Sequence, residues 1–136
     1  MKLISLIDNT AVDDKLFSEN GMSFFVEFGG KNYIIDTGLT GKAAENARRM
    51  QLPTDELDAV VLTHNHAAHV GGIDSFMRLS PDAEIYLRAG AQTERFRKTG
   101  FFKEPVGAGK AFFKKYADDL IPVSYTHLRA HETCAD

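Results

Sequence analysis

The ten residues Thr63-His64-Asn65-His66-Ala67-Ala68-His69-Val70-Gly71-Gly72 decide how this chain is read. They hold three of its five histidines and follow directly on the apolar run Ala59-Val60-Val61-Leu62. Neutral imidazole is the commonest protein ligand for zinc and similar ions. His64 and His66 lie two apart, which in extended chain puts both rings on one side. His69 follows three residues later, across a tight loop. A buried strand that runs into a histidine cluster and then a Gly-Gly turn is a natural place to fix a metal. The competing reading is a solvated, histidine-rich loop. A helical zinc-protease site, which needs two His at i and i+4 with a Glu between them, does not match.

Working outward, Asp58 to Leu62 has the continuous apolar character of a strand buried on both faces. Before it, Gly41 to Met50 is a run of good helix formers that stops ahead of Pro53. Further back, Ser23 to Phe28 and Lys31 to Asp36 flank Gly29-Gly30, a two-residue connection able to take the positive φ of a primed hairpin turn. The period of two groups Phe24, Val26 and Phe28 on one face, expected to be the core face. Lys2 to Ile7 reads as a first strand that leaves into the polar stretch Asp8 to Asp14. Beyond the histidines, Ile73, Phe76 and Met77 mark one side of a helix, with Pro81 past its end. Glu84 to Leu87 is a short strand. A helix is expected from about Ala89 to Lys98, then a loop carrying Gly100, Pro105, Gly107 and Gly109. Ala111 to Tyr116 reads as helix, and Leu120-Ile121 begins another strand. The class is α/β with a mixed sheet.

Composition narrows the function classes. The 136 residues, 43% hydrophobic and 26% charged, fit one soluble globular domain. A net charge of −3 gives no basic surface for nucleic acid or an anionic membrane. No apolar run approaches the roughly 18 residues needed to span a bilayer. The first residues turn acidic too early for a signal peptide, so the cytoplasm is the expected location. The single cysteine, Cys134, rules out an internal disulfide and a Cys-rich zinc site.

The histidine stretch resembles the T-H-x-H-x-D-H-x-G-G loop of the metallo-β-lactamase superfamily, and it comes after a hairpin, an Asp-Thr-Gly turn, a helix and a buried strand. Asp8-Asn9-Thr10, Gly21-Met22-Ser23, Asp36-Thr37-Gly38 and Asn46-Ala47 resemble most the dihydropterin ribofuranosyl-aminobenzene phosphate synthase-like branch. The resemblance covers residues 1–121 and implies the N-terminal half of an αββα sandwich. It further implies that His64 and His66 hold a first metal and His69 a second. The metal would be Zn2+, or another divalent ion such as Mn2+ or Fe2+. Asp36 would be the buried acid that orients a ligand from behind. The chemistry implied is attack by a metal-activated hydroxide on an ester, thioester, amide or phosphoester of a small molecule.

Two departures qualify that expectation. The motif's aspartate is Ala68 here, and a methyl group cannot coordinate, so the second metal site should be weak or empty. The further ligands that superfamily members supply from their second half have no counterpart between Gly72 and Ile121. The remaining pair, His127 and His131, is spaced i, i+4 but lies in a stretch, 122–136, that resembles adapter read-through. Residues 1–121 are therefore read as a partial domain and 122–136 as a non-native tail. With Ala68 and truncation together, the hydrolase activity is expected to be impaired and this chain by itself inactive. An uncovered sheet face would favour self-association. The alternative function is a non-catalytic or weakly metal-binding module, and a plain structural α/β domain comes third.

Other motifs carry less. Gly107-Ala108-Gly109-Lys110 lacks the first Gly and the Ser or Thr of a phosphate loop. Phe101-Phe102 and Phe112-Phe113 are assigned to core or lid. The cations Arg95, Arg97, Lys98, Lys103, Lys110, Lys114 and Lys115 are read as a solvated face that could meet a phosphate. Tyr33, Tyr86 and Tyr116 are assigned to packing.

Overall fold

Gly29 and Gly30 both take positive φ, +61° and +74°, and fold β2 (Ser23–Phe28) back onto β3 (Lys31–Ile35). β1 (Lys2–Ile7) pairs antiparallel with the other edge of β2. From β3 onward the neighbours are parallel: β4 (Ala59–Leu62), β5 (Glu84–Arg88) and β8 (Leu120–Val123) complete a six-stranded sheet in the order β1-β2-β3-β4-β5-β8. The structure is a computed structural model and describes residues 1–91, 96–99 and 101–124.

Parallel neighbours need crossovers, and the helices supply them. α1 (Lys42–Arg49) links β3 to β4, and α2 (Ala67–Val70) with α3 (Ile73–Leu79) links β4 to β5. α4 (Lys110–Lys115) precedes β8. Register places Ile4, Phe25, Ile34, Val60, Ile85 and Leu120 in one row across the sheet. Phe25, Ile34, Val60 and Ile85 in that row are fully buried, in one core with Ala43, Ala47, Ile73 and Phe76 of the helices. Asn46 of α1 is buried among these apolar groups. It donates to the carbonyls of Leu6 (2.7 Å) and Phe17 (2.9 Å) and accepts from the Phe17 N–H (2.9 Å), which ties α1 to β1 and to the preceding strap.

The hairpin's core face is the reverse of the one expected. Phe25 is covered, whereas Phe24 and Val26 are half-buried and Phe28 is 61% exposed. Alternation defines two faces but does not say which one the helices cover. Both faces of β2 carry a phenylalanine, so the pattern could not decide. Phe101, assigned to core or lid, is fully exposed, while Phe112 and Phe113 pack against the core.

A second correction concerns the helix expected from Ala89 to Lys98. Gly90 follows β5 with φ +82°, and Phe96–Thr99 is a strand, β6, paired antiparallel with β7 (Phe102–Pro105). Cross-strand pairing overrides a helix propensity of a few tenths of a kcal/mol per residue. β7 replaces part of the loop expected before Gly107. Residues 92–95 and the tail positions His127, His131 and Cys134 lie outside the described residues. Among the described residues no helix is long and apolar enough to cross a membrane.

Candidate metal centre

β3 and β4 run parallel and end side by side, which brings the residue after each strand to the same edge of the sheet. In open α/β sheets that carboxyl edge is where ligands bind. The residue after β3 is Asp36, whose N–H donates to the Val61 carbonyl at 2.8 Å. The residue after β4 is Thr63. Asp36 holds φ at +56°, a left-handed conformation that costs a non-glycine residue on the order of 1 kcal/mol. This turn points the carboxylate across at the histidine loop instead of along the strand. The side chain is buried, and its acceptors are all used. Oδ1 accepts from the Thr63 N–H (2.9 Å), the Thr63 hydroxyl lies 3.0 and 2.8 Å from Oδ1 and Oδ2, and His69 Nδ1 lies 2.7 Å from Oδ2.

His66 is still extended, at φ −136° and ψ 138°, and α2 starts after it. One helical turn then swings His69 back beside His64, with ring centroids 4.2 Å apart. The His64–His66 and His66–His69 centroids are 5.9 and 6.1 Å apart. Each ring offers a nitrogen, and these nitrogens all lie within 4.8 Å of one another. The three sequence-predicted ligands thus come together, with Asp36 directly behind His69. Ala68 is buried and offers no donor.

The loop is bolted down on both flanks. On one side the His69 carbonyl accepts from the Thr37 N–H (2.7 Å) and the Thr37 hydroxyl (2.9 Å), and Gly72 N–H donates to the Gly38 carbonyl (3.1 Å). The backbones are so close that a Cβ on Gly71 would sit 2.1 Å from the Leu39 carbonyl oxygen, and one on Gly72 2.1 Å from that of Thr37. That is the physical meaning of the Gly-Gly pair. On the other side Asn65, between two of the histidines, is buried and clasps Ala108. Its Oδ1 accepts from the Ala108 N–H at 2.7 Å, and its Nδ2 donates to the Ala108 carbonyl at 3.2 Å. Ala67 N–H adds a bond to the Val106 carbonyl at 2.8 Å. Gly107 belongs to this clasp, not to a phosphate loop, because a Cβ there would meet Asn65 Oδ1 at 2.5 Å. Of the expected cationic face, Lys115 is paired with Asp74 at 2.9 Å. Thr63 and Asn65 were not singled out from sequence. Their partners lie 27 and 43 residues away in the chain, and only the parallel strand ends, read as a pair, could have pointed to Thr63.

The family model for the metallo-beta-lactamase superfamily matches residues 18–126. The chain belongs to that superfamily. It is 32% identical over 60 residues to the exodeoxyribonuclease WalJ of Streptococcus pneumoniae, covering 43% of this chain and 22% of that protein. It is 31% identical over 87 residues to a UPF0173 metal-dependent hydrolase of Flavobacterium johnsoniae, covering 64% of this chain and 37% of that protein. Among solved structures, Tm1679, a metal-dependent hydrolase of the beta-lactamase superfamily, superposes over 90% of this chain and 41% of its own, with a TM-score of 0.65 at 22% identity. That likeness bears out the mixed α/β fold. The chain spans roughly a fifth to two fifths of the length of these curated relatives.

This superfamily member's own residues fit a metal ion. Three imidazoles converge, and one of them has its remote nitrogen held by a buried carboxylate, the usual device for orienting a metal-bound histidine.

Proposed function

We propose that this chain carries the histidine wall of a metal-dependent hydrolase site, with His64, His66 and His69 as ligands to a divalent ion. The observation that supports this reading is the convergence of three ring nitrogens within 4.8 Å, with Asp36 Oδ2 2.7 Å behind His69 Nδ1. A bound Zn2+ supplies Lewis acidity toward a substrate oxygen and makes a water acidic enough to be a nucleophile near neutral pH. The protein's share is orientation. Asp36 holds a proton on His69 Nδ1, which turns Nε2 toward the cluster. Asn65 and the Thr37 pair keep the loop from relaxing away from it.

Zinc is the favoured metal because a three-imidazole set suits it. Ala68 removes the carboxylate that a second ion would need, so occupancy by one ion is the expectation, with His69, which the resemblance assigns to the second ion, turned to the same ion as His64 and His66. The reaction class proposed is hydrolysis of an ester or phosphoester of a small molecule in the cytoplasm, and the resemblance to the aminobenzene phosphate synthase-like branch fits a phosphorylated substrate. The net charge of −3 favours a small molecule over nucleic acid. Ala68 also favours a second reading, a member that binds metal without turnover. Comparing Ala and Asp at position 68 in a full-length homologue for metal content and phosphoesterase activity separates the two. Metal-dependent activity that rises with Asp supports hydrolysis impaired by Ala68. Metal binding with no activity in either form supports the binding module.

A further inference from the structure

We infer that the Thr63 hydroxyl is a positioning group that passes the hold of Asp36 on to a second histidine, so that one buried carboxylate sets the ring tautomers of both His69 and His64. A count of protons assigns each bond its donor. As a carboxylate, Asp36 can only accept hydrogen bonds. The Thr63 hydroxyl has a single proton, and its oxygen lies 2.8 Å from Asp36 Oδ2 and 3.0 Å from Oδ1, so that proton goes to Asp36. What remains on Thr63 Oγ1 is lone pairs. His64 Nδ1 lies 2.9 Å from that oxygen. For this contact to be a hydrogen bond, His64 must carry its proton on Nδ1, and Nε2 is then the nitrogen through which it would ligate. His69 reaches the same state directly, through its 2.7 Å bond to Asp36. The Thr63 N–H, which donates to Asp36 Oδ1 at 2.9 Å, fixes the carboxylate so that the relay cannot rotate. Serine would preserve this chain of bonds. Valine, equal in shape, would remove both the bond to Asp36 and the bond from His64.

The placement of the proton stands on these distances. Its consequence for metal affinity rests on the proposed role of His64 as a ligand. The test compares wild type, Thr63→Val and Thr63→Ser. Thr63 is exposed, so both variants should fold. Long-range proton–nitrogen correlation spectra of the metal-free proteins report the tautomer of each ring. We expect His64 protonated on Nδ1 in wild type and Thr63→Ser, and shifted toward the Nε2 tautomer in Thr63→Val, with His69 unchanged in all three. Zn2+ titrations should then show affinity falling roughly 10–100-fold in Thr63→Val, as for other groups that orient metal-bound histidines, and recovering in Thr63→Ser. An Nε2-protonated His64 in wild type, or an unchanged tautomer in Thr63→Val, would overturn the inference. If wild type bound no Zn2+, the functional reading above would fall, and the tautomer spectra would still decide this one.

Discussion

Asp36 Oδ2 sits 2.7 Å from His69 Nδ1, although 33 residues separate the two in sequence. The left-handed backbone at Asp36 and the single turn of α2 are both needed to make that contact. Asp36→Ala should therefore weaken Zn2+ binding about 10–100-fold, read by competition with a chromogenic chelator. It should also cost on the order of 1–3 kcal/mol in urea unfolding, because the Thr63 N–H loses its partner. Asp36→Asn, which keeps an acceptor, should fall between Ala and wild type. Wild-type affinity in Asp36→Ala would remove the carboxylate from the account.

Position 68 makes an opposite prediction. Ala68 is only 7% exposed, so Ala68→Asp places a carboxylate where water cannot solvate it well. Metal-free Ala68→Asp should melt below wild type. With excess Zn2+ it should gain more than wild type does, and it should bind a further ion. A variant that melts like wild type with and without zinc would argue that position 68 does not face the metal.

How much of this was legible beforehand varies by element, for physical reasons. The hairpin, α1, β4 and α3 were all readable, since each has its own local signal: Gly29-Gly30, a run of helix formers before Pro53, an unbroken apolar run, and the spacing of Ile73, Phe76 and Met77. The histidines could be named for the same reason. What escaped depends on partners distant in the chain. The covered face of β2 is decided by helices, not by the alternation of its residues. β6 forms because β7 pairs with it. Thr63 and Asn65 look like ordinary polar loop residues until Asp36 and Ala108 are brought against them.

The Asn65 clasp should be worth measuring on its own. Asn65→Ala leaves the Ala108 N–H and carbonyl without their partner and should destabilise the fold by about 1–3 kcal/mol. Gly107→Ala should do similar damage by pushing on the Asn65 side chain from the other direction. An exposed control, Asn9→Ala, should stay within about 0.5 kcal/mol of wild type. Chemical denaturation of the three variants decides it; three equal midpoints would show that the clasp is idle.

A polar cluster joins α3 to α4 and predicts a pH window. The Tyr116 hydroxyl and Lys115 Nζ both donate to Asp74 Oδ1, the latter at 2.9 Å. The Tyr116 bond, then the Lys115 bond, hold the Asp74 carboxyl below its ordinary range. Burial and the Asp74 bond push the Tyr116 hydroxyl up, and the Asp74 bond raises Lys115. A lowered acid adds stability above its unfolded pKa and loses it as pH falls through the folded value. A raised hydroxyl or ammonium adds stability below its unfolded pKa and loses it as pH rises through the folded value. The cluster should thus stabilise the fold fully between the carboxylate range and about pH 10, and fade on either side. Melting curves of wild type and Tyr116→Phe should differ most inside that window. A difference that grew below the carboxylate range would contradict the sign.

The sheet face away from the helices carries Leu3, 59% exposed, and Phe28, 61% exposed, beside the half-buried Phe24, Val26, Tyr33 and Ile35. We expect this face to drive self-association, visible as a sedimentation coefficient that rises with concentration. Leu3→Lys with Phe28→Lys should suppress it. A wild-type chain that stays monomeric at every concentration would count against that reading.

The most direct test of the central claim is a Zn2+ titration of the dialysed chain beside His64→Ala, His66→Ala and His69→Ala. The account predicts a single tight ion per wild-type chain and a large loss of affinity in each variant. Equal binding by wild type and all three variants, or no binding by wild type, would contradict it.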